Sequence, residues 1–230
     1  MFLLLVLVVF LFAFASSRNN VRKISNPNVE FKGDNNLFIT QEAVSKLLIQ
    51  NQQEAKNTSK ETLDLNDLEA ALNSNPMIKS ADVYVSVNGM LKAEVEQKKP
   101  IARVHSEASY YIDEQGGYMP LSSNYSARVP LVTGAVDKNN LSDVFKVAQK
   151  IQNDAFLKTH VIEVYQDESK GIFLKLRQYR FTVQLGNLNN LDKKINNLKA
   201  FYKKALKDKK LNAYSNVNLK FDSQVVCTKA

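Results

Sequence analysis

The chain has 230 residues, a formal net charge of +8, 44% hydrophobic residues, a single cysteine and no tryptophan. That length holds one large domain or two small ones, and the lone Cys227 excludes an intramolecular disulfide and a cysteine-type zinc site. The basic balance fits nucleic acid, an anionic membrane surface or solubility alone, so charge by itself selects no partner.

Residues 1–15 open with an uncharged run, Phe2 to Ala15, that is short for a membrane span of about 20 apolar residues. Its length also suits a signal-peptide core, with Ala13-Phe14-Ala15 resembling a cleavage site, yet no basic residue precedes it. Arg18, Arg22 and Lys23 all follow it. A short anchor, a cleaved signal and a chain whose true start lies upstream are the three readings. Residues 16–27 are polar and basic without periodicity and read as a juxtamembrane linker.

Val29 to Phe31 predicts a brief strand. Thr40 is placed to cap a helix with Val44, Leu47 and Leu48 as its buried stripe, and Asn51 to Ser59 reads as a polar loop. Asp64 caps a second helix, where Leu65, Leu68 and Leu72 share a face, and Asn75-Pro76 ends it. A hairpin follows. Ala81, Val83, Val85 and Val87 alternate with polar residues, as do Leu91, Ala93 and Val95 after Asn88-Gly89. A two-residue Asn-Gly turn would place Ser86 on the face of Leu91, so the apolar pattern instead favours Val87 opposite Leu91 across a three-residue loop or a bulge. Val83 and Val85 are expected in the core.

Pro100 marks a boundary. Beyond it, Ile101 to Val104 and Tyr110 to Asp113 read as strands, and Glu114 to Gly117 as a turn in which Asp113 bonds its own backbone. Leu141, Val144, Phe145, Ala148 and Ile151 predict a helix. His160 to Tyr165, Gly171 to Arg177 and Arg180 to Leu185 predict three strands. Leu191, Ile195, Leu198 and Tyr202 predict a long helix, with Lys193, Lys194, Lys203, Lys204 and Lys207 turned mostly to solvent. Ser215 to Val226 reads as one last strand. The fold class is therefore α+β: an N-terminal hydrophobic segment, a β-α-α-β-β module over residues 28–99, a mixed β domain with flanking helices over 100–226, and a tail at 227–230.

Catalytic chemistry needs a poised constellation, and none is visible. His105 and His160 each lie beside valine on a predicted strand, no Gly-x-Ser-x-Gly elbow occurs, and no glycine-rich phosphate loop occurs. The reading is no enzyme, no cofactor, no metal and no small-molecule substrate. The lysine-rich helix lacks the interleaved arginines and aromatics that nucleic-acid binding uses, so no nucleic acid is expected; attraction to anionic lipid headgroups is a modest alternative.

Five stretches in order carry a resemblance: Asn75-Pro76-Met77-Ile78-Lys79-Ser80-Ala81-Asp82-Val83, Gln97-Lys98-Lys99-Pro100-Ile101-Ala102, Ile112-Asp113-Glu114-Gln115-Gly116, Val129-Pro130-Leu131-Val132-Thr133-Gly134 and Val217-Asn218-Leu219-Lys220-Phe221. Behind a hydrophobic N-terminus, this chain resembles the FtsQ/DivIB bacterial cell-division proteins, in a Bacteroidetes-like form. It departs from their pattern at Gln97 for Glu, Lys98 for Arg, Asn218 for Asp and Phe221 for Tyr. The resemblance implies a single-pass inner-membrane protein with a POTRA domain and a β domain in the periplasm, at the division septum. It implies a scaffold that binds FtsB-like and FtsL-like partners and other divisome components. The implied contacts are Lys220, Phe221, Asp222, Ser223, Val225 and Val226, through strand addition at the rim of the β domain. The alternative is a POTRA-containing envelope-assembly or secretion factor that binds polypeptides.

Overall fold

The computed structural model describes residues 6–12, 14, 25–34, 36–56, 64–86, 90–106, 108–221 and 224–230. Residues 6–12 and 14 are helical, and the apolar side chains of Val6 to Phe12 are exposed. Among the described residues no helix is long and apolar enough to cross a membrane. The span expected over residues 1–15 is not found among the described residues, with 1–5, 13 and 15 lying outside them, as does most of the linker expected at 16–27. The chain divides into two compact units, residues 1–97 and 98–230.

In the first unit, β1 (Ser25–Lys32), α1 (Gln41–Lys56), α2 (Leu65–Asn73), β2 (Ile78–Val85) and β3 (Met90–Gln97) follow one another. The sheet order is β1-β3-β2, with β1 parallel and β2 antiparallel to β3. The expected caps are in place: Ala43 N–H donates to Thr40 Oγ1 at 3.2 Å and Asn66 N–H to Asp64 Oδ1 at 2.9 Å. Val44, Leu48, Leu68 and Leu72 of the helices bury against Ala81, Val83, Leu91, Ala93 and Val95 of the sheet. α1 continues to Lys56 through residues expected in a loop; their Gln, Glu, Ala and Lys content is polar but favours helix.

The hairpin keeps the face-preserving register that burial demands, because Ala81 opposes Val95, Val83 opposes Ala93 and Val85 opposes Leu91. The partner of Leu91 is thus Val85 rather than Val87, which lies outside the described residues. A two-residue shift leaves every side chain on its own face, so the apolar pattern fixes parity without fixing the loop. Val85 itself is exposed, against the core expectation. Gln97 is buried. Its Oε1 accepts from the Phe38 and Ile39 N–H groups at 2.9 and 3.3 Å, and its Nε2 donates to Ile39 O at 2.8 Å.

The second unit holds β4 (Pro100–His105), β5 (Ser109–Asp113), β6 (Tyr118–Met119), β7 (Leu131–Gly134), α3 (Ser142–Gln152), α4 (Ala155–His160), β8 (Val161–Gln166), β9 (Ile172–Leu176), β10 (Thr182–Gly186), α5 (Leu191–Lys207), β11 (Tyr214–Asn218) and β12 (Val226–Lys229). Its strands form one sheet in the order β12-β11-β10-β9-β8-β7-β4-β5-β6. One register row crosses it from Tyr110 through Val104, Val132, Val164, Leu174, Val183 and Val217 to Cys227. Val144, Val147, Ile151, Ile195, Leu198 and Tyr202 of the helices pack on that row to make the core.

Asp113 anchors its turn as expected, with Oδ1 accepting from Gln115 and Gly117 N–H at 2.9 and 2.8 Å, and Oδ2 lies 2.9 Å from Lys98 Nζ. His160 is not on a strand; it ends α4, a helix that Asp154 caps by accepting from the Phe156 and Leu157 N–H groups. Lys194, expected at the solvent face, is buried. Its ammonium donates to Leu185 O, Asn187 O and Asn187 Oδ1 at 2.8, 2.7 and 3.2 Å.

Candidate functional site

The chain's last strand is two strands. β10 and β11 run parallel, joined by α5, and Leu219 N–H donates to Gln184 O at 2.8 Å just past β11. The chain then reverses, and β12 pairs antiparallel with β11: Asn216 opposite Thr228, Val217 opposite Cys227 and Asn218 opposite Val226. β11 is therefore interior to the sheet and β12 is its rim. The single strand expected from Ser215 to Val226, with a tail at 227–230, is corrected accordingly. β12 has only four residues and weak alternation, which is why periodicity does not announce it.

The rim's polarity follows from one terminal bond. Ala230 N–H donates to Ala213 O at 3.0 Å, toward β11. Amides alternate sides along a strand, so Thr228 and Val226 also face β11, while the N–H groups of Cys227 and Lys229 face away from the sheet. Ser215 Oγ, at a register shift in β11, holds the Lys229 carbonyl at 3.0 Å. Among the described residues no strand or side chain covers the outward amide of Cys227.

The expected contact residues distribute around this rim. The Lys220 N–H donates to Asn218 Oδ1 at 2.9 Å. Its side-chain stem lies over Gly186, whose φ is +66° and where an added Cβ would come within 2.8 Å of Lys220 Cγ. Phe221 is 47% exposed and Val226 is 41% exposed, large fractions for apolar side chains of a folded domain. Val225 is half-buried and packs on the core. Asp222 and Ser223 lie outside the described residues. Cys227, Thr228 and Lys229 belong to the rim and were missed by the sequence reading; the valine pair at 225–226 was the available signal. Burial pushes the Cys227 thiol pKa up, as suits a side chain at the end of the core row rather than a reactive thiol.

The other sheet edges are handled differently. On the outer side of β1, Gln41 Nε2 donates to Val29 O at 3.1 Å. On the outer side of β2, the Asn73 carboxamide takes both backbone groups of Ala81, accepting from its N–H at 2.9 Å and donating to its carbonyl at 3.4 Å. Glu69 Oε2 accepts from Val83 N–H at 3.4 Å. Asn73 thus bonds Ala81 as a neighbouring strand would. At the far end of the second sheet, β6 is two residues long and is followed by Pro120, which blunts it.

Both histidines contact residues four positions away in the chain. His105 Nδ1 lies 3.1 Å from Ser109 Oγ; His160 Nδ1 lies 2.8 Å from Phe156 O, with its ring 4.4 Å from that of Phe156. Among the described residues no group of three or more His, Cys, Asp or Glu side chains is placed to hold a metal ion.

A family model described as POTRA-like domain matches residues 27–96, and one described as FtsQ/DivIB, C-terminal related matches residues 99–228. No curated protein matches the chain. The second match covers more than half of the sequence and contains the nine-stranded sheet up to Thr228 of its rim strand. The chain belongs to the FtsQ/DivIB family, with a POTRA-like domain ahead of the family's C-terminal domain.

Proposed function

We propose that this protein is a non-enzymatic, membrane-anchored scaffold of the bacterial divisome that takes FtsB-like and FtsL-like partners by strand addition on β12. Family membership supports a role in division with division-protein partners. The observation that carries the finer reading is the outward amide row of β12, flanked by exposed Phe221 and Val226. An incoming extended segment would gain backbone hydrogen bonds from Cys227 and Lys229, and its side chains would read the exposed apolar pair. The anchor would be the apolar N-terminal segment, with both domains in the periplasm and the protein at the septum.

Cys227→Pro tests it. Proline removes an outward N–H and leaves the ladder to β11 intact, a placement that edge strands tolerate. Cys227→Val is the control that keeps the amide. Partner capture by the full chain should fall about tenfold or more in the proline variant and stay unchanged in the valine variant, with equal thermal unfolding midpoints. Full capture by a folded Cys227→Pro chain contradicts the reading.

A further inference from the structure

The cations of α5 are unevenly distributed, and toward its start Lys193 alone is exposed without an ion pair among the described residues. Toward its start, Lys194 is buried on carbonyl groups, Asp192 pairs with Lys150, and Lys199 pairs with Asp154. Toward its end, Lys203, Lys204, Lys207, Lys209 and Lys210 are all exposed, and among the described residues none of them has an ion pair. Asp208 is the one carboxylate in that stretch. A helix C-terminus favours a cation or two, but five exceed that need.

Two further features accompany the charge. Lys209 stands just past the helix at φ +55°, a left-handed position that glycine adopts without penalty. Leu206 is 53% exposed and lies one turn from Lys203. No arginine or aromatic side chain is exposed between 203 and 210. The patch therefore lacks the stacking groups of a nucleic-acid surface. It has hydrated point charges on flexible stems beside one exposed apolar side chain, the chemistry that suits a layer of acidic headgroups.

We infer that the C-terminal end of α5, from Lys203 to Lys210, docks on the surface of an anionic lipid bilayer. Each lysine near such a surface adds to the attraction, and salt weakens it. The inference takes its setting from the proposed membrane anchoring but concerns the lysines that end α5 rather than the outward amides of β12.

The test uses the full chain with vesicles of phosphatidylcholine alone and of phosphatidylcholine with phosphatidylglycerol. Lysines are acetylated in a short pulse and read by mass spectrometry, with exposed Lys46 and Lys170 as internal references. Lys203, Lys204, Lys207, Lys209 and Lys210 should react about fivefold more slowly on the anionic vesicles only, and recover at about 0.5 M salt. Equal reactivity on both vesicles overturns the inference. Protection that appears only when membrane-protein extract is added also overturns it, in favour of an acidic protein. Binding of the chain to the neutral vesicles reports separately on the apolar anchor.

Discussion

The two sheets of this protein end in different ways. In the POTRA-like unit, the helices reach over the rims: Gln41 of α1 occupies Val29 on β1, and Asn73 and Glu69 of α2 occupy Ala81 and Val83 on β2. In the C-terminal unit, β12 presents the amide of Cys227 with nothing over it among the described residues. An uncovered strand edge invites pairing with other chains, and proteins ordinarily blunt it. Two rims are closed by side chains while the third, four residues long, is left open, and that contrast is what the proposed strand addition on β12 rests on.

Removing a cap should make the closed sheet behave like the open one, and the largest effect belongs to Asn73. Asn73→Ala strands both backbone groups of Ala81 in a part-buried site, which should cost about 2 kcal/mol in chemical denaturation. Combined with Glu69→Ala, it should also let β2 edges pair between molecules, seen as dimers in sedimentation. A double variant that stays monomeric and as stable as the parent would erase the distinction between the two sheets. Gln41→Ala removes a single bond on β1, and its expected cost is smaller, about 1 kcal/mol.

The smallest effect sharpens the comparison from the other side, through a charge that steadies the C-terminal core. Burial pushes the pKa of Asp154 up, but the Lys199 ammonium and the Leu157 and Phe156 N–H groups outweigh it and hold the carboxyl below its ordinary value. Its folded pKa is depressed, so the stability it contributes is present above the unfolded value near about 3.9 and is lost as pH falls through the folded value. Thermal melts from neutral to acid pH should show that loss, and Asp154→Asn should flatten it. An Asp154→Asn chain with an unchanged acid slope would assign the loss to other groups.

Much of this was legible because the relevant residues obey local rules. Asp64 and Thr40 announce helix starts, and Asp113 announces its turn, since each acts within a few residues of itself. The hairpin's parity was legible and its partner register was not, because burial constrains faces and only the unseen turn constrains length. Lys194 was misread by residue type. Its position, three after Leu191 and four before Leu198, lies on the buried arc, where carbonyl groups of the β10–α5 turn receive it. α4 was missed because six residues show little periodicity, although Asp154 ahead of them was a usable cap signal. At the candidate site the contact region was legible only through resemblance. Its rim, Val226 to Lys229, depends on a pairing with β11 that no local pattern encodes.

Amide hydrogen exchange at β12 tests the central claim most directly. In the free chain the Cys227 amide should exchange far faster than its neighbour Thr228, which bonds inward, and adding an FtsB-like segment should slow Cys227 to the rate of Thr228. If Cys227 is already as protected as Thr228 without a partner, or stays fast while the partner is bound, then strand addition at this rim is wrong.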